Sequence, residues 1–239
     1  LFLRPYMCYI LIINIMKETK NMSYDYKIPD LKHKNMDKKD INLIRTINYN
    51  FFHWGPFLYK TKLTNKEIEQ IKSFCKKNKK KDNRKKLAGL IKHEYTISKN
   101  KLFPIIFPYL DSYVKASHEH YKIIPGKKIT LTSSWVNYMT KFESNPLHIH
   151  DGKLSFVIYL NIPVKLKEEV DNTISNITKP GTINFVNKLE EGSDLFINNY
   201  SFLPEVCDCF IFPAKLSHFV NSFQCEGERV SVSGNIELK

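Results

Sequence analysis

Two hydrophobic periods divide the chain near Pro125-Gly126. Before that point apolar residues recur every three to four positions, and after it they alternate with polar ones. In the first part, Thr64-Asn65-Lys66-Glu67 is a capping-box signature, followed by Ile68, Ile71, Phe74 and Cys75 at helical spacing, which predicts an amphipathic helix over 65–77. A second helix is expected over 102–121 from Ile106, Leu110, Tyr113, Val114 and Tyr121, beginning after Pro104, with Pro108 kinking it or delaying its start. Residues 51–63 alternate from Phe57 onward and read as a first strand, whereas 87–97 fits either helix or extended chain. In the second part, strands are expected at 128–141, 147–150, 154–162, 182–186, 195–202, 209–212, 219–223 and 229–237. Turn signals separate them, among them Asn145-Pro146, Asp151-Gly152, Pro180-Gly181 and Glu226-Gly227. Helices first and strands afterwards imply an α+β, mainly β fold, with the helices packed on one face of a sandwich or barrel-like double sheet.

Length changes this picture little. The 239 residues suit a single domain over 51–239, with 51–125 as helical support and 126–239 as the β core, preceded by a poorly structured lead-in over 1–50. Residues 1–16 are apolar, but the run between Met7 and Met16 is too short for a bilayer, which takes about 20 residues. That run is expected to be a loosely attached tail, or sequence ahead of a true start at Met7, Met16 or Met22. Membrane partners are not expected.

Charge is uneven within the net +13. Residues 51–100 hold 14 Lys/Arg against 4 Asp/Glu, and 151–239 hold 8 against 12. The basic run over 76–86 carries no interleaved aromatics to stack on bases, so it reads as a solvated face, with nucleic-acid contact as the alternative. The five cysteines, Cys8, Cys75, Cys207, Cys209 and Cys225, form neither a zinc pattern nor a disulfide framework. A reducing, cytoplasmic compartment is expected. Cys207 and Cys209 read as core thiols.

The candidate chemistry lies around the longest apolar strand. His148 and His150 are two apart, so on a strand both rings leave the same face and can close on one metal. Asp151 adds a carboxylate, and His218 on a later strand offers a third nitrogen. Such N/O sets suit Fe(II), Mn or Zn. Arg229 and Ser231 share a strand face, and the guanidinium fork with a hydroxyl beside it can bind a carboxylate, unless Arg229 is taken up by a surface ion pair with Glu228 or Glu226. A metal site beside a carboxylate clamp suits a metal-chelating 2-oxo acid. Asn137 and Tyr159 are further polar groups that can face the site. His118 and His120 sit on the expected second helix about 200° apart, so they are poor co-ligands and read as surface residues.

These residues resemble a known family. His148, His218 and Arg229-Val230-Ser231 look like the site of 2-oxoglutarate/Fe(II)-dependent dioxygenases, and more closely like the 2-oxoglutarate–Fe(II) oxygenases common in marine phages. The motifs carrying the likeness are Trp135-Val136-Asn137, the run from Asn145 to Gly152, the strand from Leu154 to Leu160, Pro180-Gly181, the run from Phe212 to His218, and Leu87-Ala88-Gly89 nearer the N-terminus. The resemblance implies a double-stranded β-helix of the jelly-roll or cupin-like kind. It implies Fe(II) held by His148 and His218, with His150 (or Asp151) as the third ligand where the wider superfamily has Asp or Glu. It further implies that Arg229 and Ser231 bind 2-oxoglutarate, a small-molecule co-substrate. With O₂ as oxidant, the implied reaction is hydroxylation coupled to decarboxylation of 2-oxoglutarate to succinate. The hydroxylated substrate stays open among protein side chains, nucleobases and metabolites. The alternative is a non-catalytic cupin-like barrel that binds a metal or small ligand.

Overall fold

The computed structural model describes residues 55–77, 79–122, 128–175, 179–187 and 199–239. The expected tail and lead-in, the N-terminal end of the first predicted strand and residues 195–198 of a later one lie outside the described residues. Four-residue strand β1 (Tyr59–Lys62) leads into helix α1 (Asn65–Phe74). Strand β2 (Glu94–Thr96) and helix α2 (Lys99–Tyr121) follow. Next come β3 (Ile129–Met139), β4 (Asn145–His148), β5 (Leu154–Asn161), the short helix α3 (Leu166–Asn172) and β6 (Ile183–Val186). The chain ends with β7 (Asn199–Phe202), β8 (Asp208–Pro213), β9 (Ser217–Val220) and β10 (Arg229–Leu238).

Helix α1 starts where the sequence signature puts it. The Glu67 amide donates to Thr64 Oγ1 at 3.3 Å, and the Thr64 amide donates to Glu67 Oε2 at 2.8 Å, so two N–H groups with no partner inside the helix are satisfied. Helix α2 departs from expectation. It begins at Lys99 and runs through both Pro104 and Pro108. Each proline leaves the carbonyl four residues earlier without its helical donor. Both prolines are exposed, so that loss falls on the solvent face, where water replaces the donor. The opposite face buries Leu102, Ile106, Leu110 and Tyr113. The ambiguous stretch 87–97 is resolved as a loop ending in β2.

The strands form a six-stranded sheet, ordered β1-β8-β5-β10-β3-β2, and a four-stranded sheet, ordered β4-β9-β6-β7. Among the described residues every pairing between these strands is antiparallel. Strand β5 is buried on both faces, and its alternation separates two cores. Leu154, Phe156, Ile158 and Leu160 pack with Ile68, Ile71, Leu102, Ile106 and Leu110 of the helices. Val157 and Tyr159 point the other way, to Ile183 and Phe185 of β6 and Val220 of β9. The molecule is therefore layered as helices, large sheet, small sheet. This matches the expected α+β, mainly β class.

One irregularity decides which side chains enter the second core. Opposite Asn235 and Ile236, the register on β3 skips from Ser133 to Leu131, leaving Thr132 as an extra residue. The bulge changes the parity of β3, so Leu131 and Val136 both face the helices while Trp135, Asn137 and Met139 face the small sheet. Gly234 lies just beyond it. A Cβ there would sit 2.8 Å from the Phe156 ring and 2.8 Å from the Ser133 carbonyl oxygen. Gly234→Ala is thus expected to cost about 1–3 kcal/mol through overpacking, read as a lower denaturation midpoint.

Candidate metal and anion site

Strands β4 and β9 pair so that His148 and His218 are direct Cα partners. Directly opposite residues on one sheet share a face, so the two rings meet, with centroids 4.2 Å apart. His150 joins them by a different route from the predicted alternation. Strand β4 ends at His148, and His150 lies in the following loop. Its amide donates to the Ala214 carbonyl at 2.8 Å, and Lys215 Nζ caps its own carbonyl at 3.1 Å. This turn-to-turn contact brings His150 Nε2 to 3.1 Å from His218 Nε2. One ligand atom from each of the three histidines lies within 4.8 Å of the others. Asp151 is exposed and does not line the cavity, so the structure brings His150, and not Asp151, to the other two.

The tautomers follow from the outer hydrogen bonds. His148 Nδ1 donates to the Pro146 carbonyl at 2.7 Å, and His218 Nδ1 donates to the Leu216 carbonyl at 2.9 Å. Both rings therefore keep a lone pair on Nε2, the arrangement by which outer partners orient metal-binding imidazoles. Burial lowers the His148 pKa, against the pull of its bond to Pro146. Burial, then the neighbouring imidazoles, lowers His150 to about 3. Burial, then His148, lowers His218 to about 4, with the Leu216 carbonyl opposing. All three stay unprotonated at neutral pH, as a ligand must.

The cavity these rings enter is also lined by Trp135, Asn137, Met139, Asn145, Tyr159, Arg229, Ser231 and Ser233. Arg229 is 3% exposed, and its Nη2 donates to the Tyr159 hydroxyl at 2.9 Å. Its Nε is buried with no hydrogen-bond partner. The expected alternative of a surface ion pair fails, because Glu228 pairs with Lys77 and Glu226 with Lys141. Among the described residues no carboxylate pairs with this guanidinium. Burial lowers the Arg229 pKa and raises that of Tyr159 to about 12, the nearby guanidinium opposing the latter, so Tyr159 stays a neutral phenol. Ser231 is buried opposite both Asn137 and Tyr159, which places the four predicted polar residues on one patch of the large sheet.

Sequence reasoning passed over Asn145, whose Oδ1 is buried without a partner in the same cavity. Its signal was its place at the start of β4, three residues before His148. Cys209 is buried as expected. Cys207 is not on a strand: it sits half-buried in a turn with φ 76° and donates to Asn65 Oδ1. His118 and His120 are exposed. The basic run folds into short turns where Arg84 grips Asp82 and Lys77 lies 4.9 Å from the Tyr138 ring centre. No described helix is long and apolar enough to cross a membrane.

Comparisons with known proteins bear on this site and on the strands around it. Among solved structures, a prolyl-4-hydroxylase from Pseudomonas putida is similar at 11% identity and TM-score 0.48, covering 76% of this chain and 92% of that one. The viral collagen prolyl hydroxylase of Paramecium Bursaria Chlorella virus-1, solved with 2-oxoglutarate, is similar at 12% identity and TM-score 0.48, covering 76% and 96%. HygX from Streptomyces hygroscopicus, solved with nickel, 2-oxoglutarate and hygromycin B, is similar at 12% identity and TM-score 0.43, covering 77% and 83%. No curated protein matches the sequence. Residues 133–235, which include the three histidines and Arg229, match the family model described as "Putative 2OG-Fe(II) oxygenase".

Proposed function

We propose that the chain is an Fe(II)- and 2-oxoglutarate-dependent dioxygenase, with the two sheets forming its double-stranded β-helix and residues 51–239 its single catalytic domain. The observation that carries this reading is Arg229: a buried cation without a counter-charge among the described residues, in the same cavity as three inward-facing histidines. An unpaired buried charge costs several kcal/mol. Its retention makes sense if a ligand carboxylate completes the pair, through charge-assisted bonds each contributing about 1.5–3 kcal/mol. The family match of residues 133–235 supports the same reading.

The donor set fits a borderline divalent metal. His148, His150 and His218 would hold Fe(II) through neutral imidazole nitrogens. Arg229 and Ser231 would bind the far carboxylate of 2-oxoglutarate. Tyr159 holds Arg229 in place through its hydroxyl, and Asn137 adds a polar contact. Iron held there would supply O₂ activation coupled to decarboxylation of 2-oxoglutarate to succinate and CO₂, and the task of the protein's own residues is to orient the acid and exclude water. Hydroxylation of a primary substrate is the outcome this arrangement supports.

Succinate release from 2-oxoglutarate on adding Fe(II) and O₂ tests the reading, including uncoupled turnover without primary substrate. Tight metal binding with no turnover would favour a non-catalytic metal-binding barrel. The ligand assignment has its own check. His150→Ala is expected to weaken metal binding by about 100-fold or more, a loss at least as large as outer-partner mutations cause, and Asp151→Ala to leave it unchanged. The reverse result would move the third ligand to Asp151.

A further inference from the structure

Glu94 is a buried acid that the site described so far does not use. It lies on the three-residue edge strand β2, is 1% exposed, and neither carboxyl oxygen has a hydrogen-bond partner. The loop before it closes directly over the carboxyl: a Cβ on Gly89 would lie 2.6 Å from Glu94 Oε1. The charged groups around it oppose its ionisation more than they support it. Glu143 is buried too, and its oxygens accept from the Lys92 and Thr140 amides at 2.9 and 2.7 Å. Asp82 and Arg84 are paired with each other. Burial above all, then Glu143 and Asp82, raises the Glu94 pKa to about 8, with Arg84 opposing. At neutral pH its carboxyl therefore carries a proton and can donate.

The strand register shows what it can donate to. Glu94 is the direct partner of Asn137 across β2 and β3, so the two side chains leave the same face. Asn137 is opposite Ser231, and Ser231 is opposite Tyr159, whose hydroxyl holds Arg229. A single polar row thus crosses the sheet from Glu94 at its edge to the guanidinium at its centre. Asn137 Oδ1 is a buried acceptor with no partner.

We propose that Glu94 is a positioning residue for the anion site: its carboxyl O–H donates to Asn137 Oδ1 and so turns the Asn137 amide N–H groups toward the cavity beside Ser231 and Arg229. This rests on the proposed function and deepens it. With Glu94 protonated, the row presents only donors to a bound carboxylate. With Glu94 ionised, two acceptors face each other, the Asn137 amide rotates, and an oxygen meets the anion instead. The chain then carries an alkaline limit on 2-oxoglutarate binding, set by a residue outside the cavity.

Calorimetric titration of the zinc-loaded protein with 2-oxoglutarate, from pH 7 to pH 9, reads this without turnover. Wild type is expected to lose about tenfold in affinity with a midpoint near pH 8, the loss of roughly one hydrogen bond to a charged group. Glu94→Gln keeps an N–H donor and cannot ionise, so it is expected to bind as wild type does at pH 7 and to show no such midpoint. Infrared difference spectra between the two should show a protonated-carboxyl band in wild type at pH 7 that disappears across the same midpoint. Identical pH profiles for wild type and Glu94→Gln, or no protonated-carboxyl band at pH 7, would overturn the proposal. Failure of wild type to bind 2-oxoglutarate at any pH would instead overturn the functional reading on which it rests, and the band would still report the state of Glu94.

Discussion

Replacing His218 with alanine is expected to abolish Fe(II) binding and succinate formation together, with metal affinity reduced by more than about 100-fold. The magnitude follows from the ligand count. Among the described residues the cluster holds three histidines and no carboxylate, so losing one leaves two neutral nitrogens and no anionic donor to retain the cation. Mutations of groups that only orient metal ligands already cost about 10–100-fold, and a direct ligand should cost more. His218 is also the pivot of the geometry. It faces His148 across the β4–β9 pair and lies 3.1 Å from His150 Nε2. Metal titration by calorimetry, with thermal melting of the metal-free variant alongside, separates loss of the ligand from loss of the fold. Affinity within a few-fold of wild type would place the metal elsewhere.

The parts of this site visible in the sequence are those fixed by short-range period. His148, the β5 run and the Arg229-Val230-Ser231 face follow from alternation, and alternation survives folding because a strand's side chains have no other choice of face. His150 reaches the cluster for a reason alternation does not contain. Its strand has ended, and a backbone bond to Ala214, distant in sequence, aims it. The β3 bulge at Thr132 is equally invisible, yet it decides that Leu131 and Trp135 face opposite cores. Helix α2 shows the converse error. The expectation of a start after Pro104 and a kink or later start at Pro108 fails because their one-turn spacing places both on the exposed face, where the carbonyls left without donors are open to solvent. Glu94 was hidden most completely. In the sequence it is one acid in a stretch of uncertain structure, and only strand pairing shows that it shares a face with Asn137. For Arg229 the sequence supplied the residue but left its partner open. The structure shows Glu226 and Glu228 bound to lysines, and the guanidinium without an acid among the described residues.

That absence gives Arg229→Met an expected outcome with two opposite signs. Affinity for 2-oxoglutarate should fall by about 30-fold to several-thousand-fold, because truncating one partner of a buried charge pair costs about 2–5 kcal/mol. The metal-free protein should at the same time become more stable, by about 1 kcal/mol or more. Methionine fills much of the same volume without a buried charge, and replacing buried ionic groups with apolar ones of similar size is often stabilising by about 1–4 kcal/mol. The Tyr159 hydroxyl loses its donor in this variant, which offsets part of the gain. Arg229→Lys should fall between wild type and Arg229→Met in affinity, since it keeps the charge but not the two-pronged geometry. Calorimetry for binding and chemical denaturation for stability read the two effects separately. A purely structural arginine would give the other pattern, with lower stability and unchanged affinity, and that result would remove the carboxylate clamp from the site. Weaker binding together with higher stability is the signature of a residue held in the core for its ligand, at the expense of the fold.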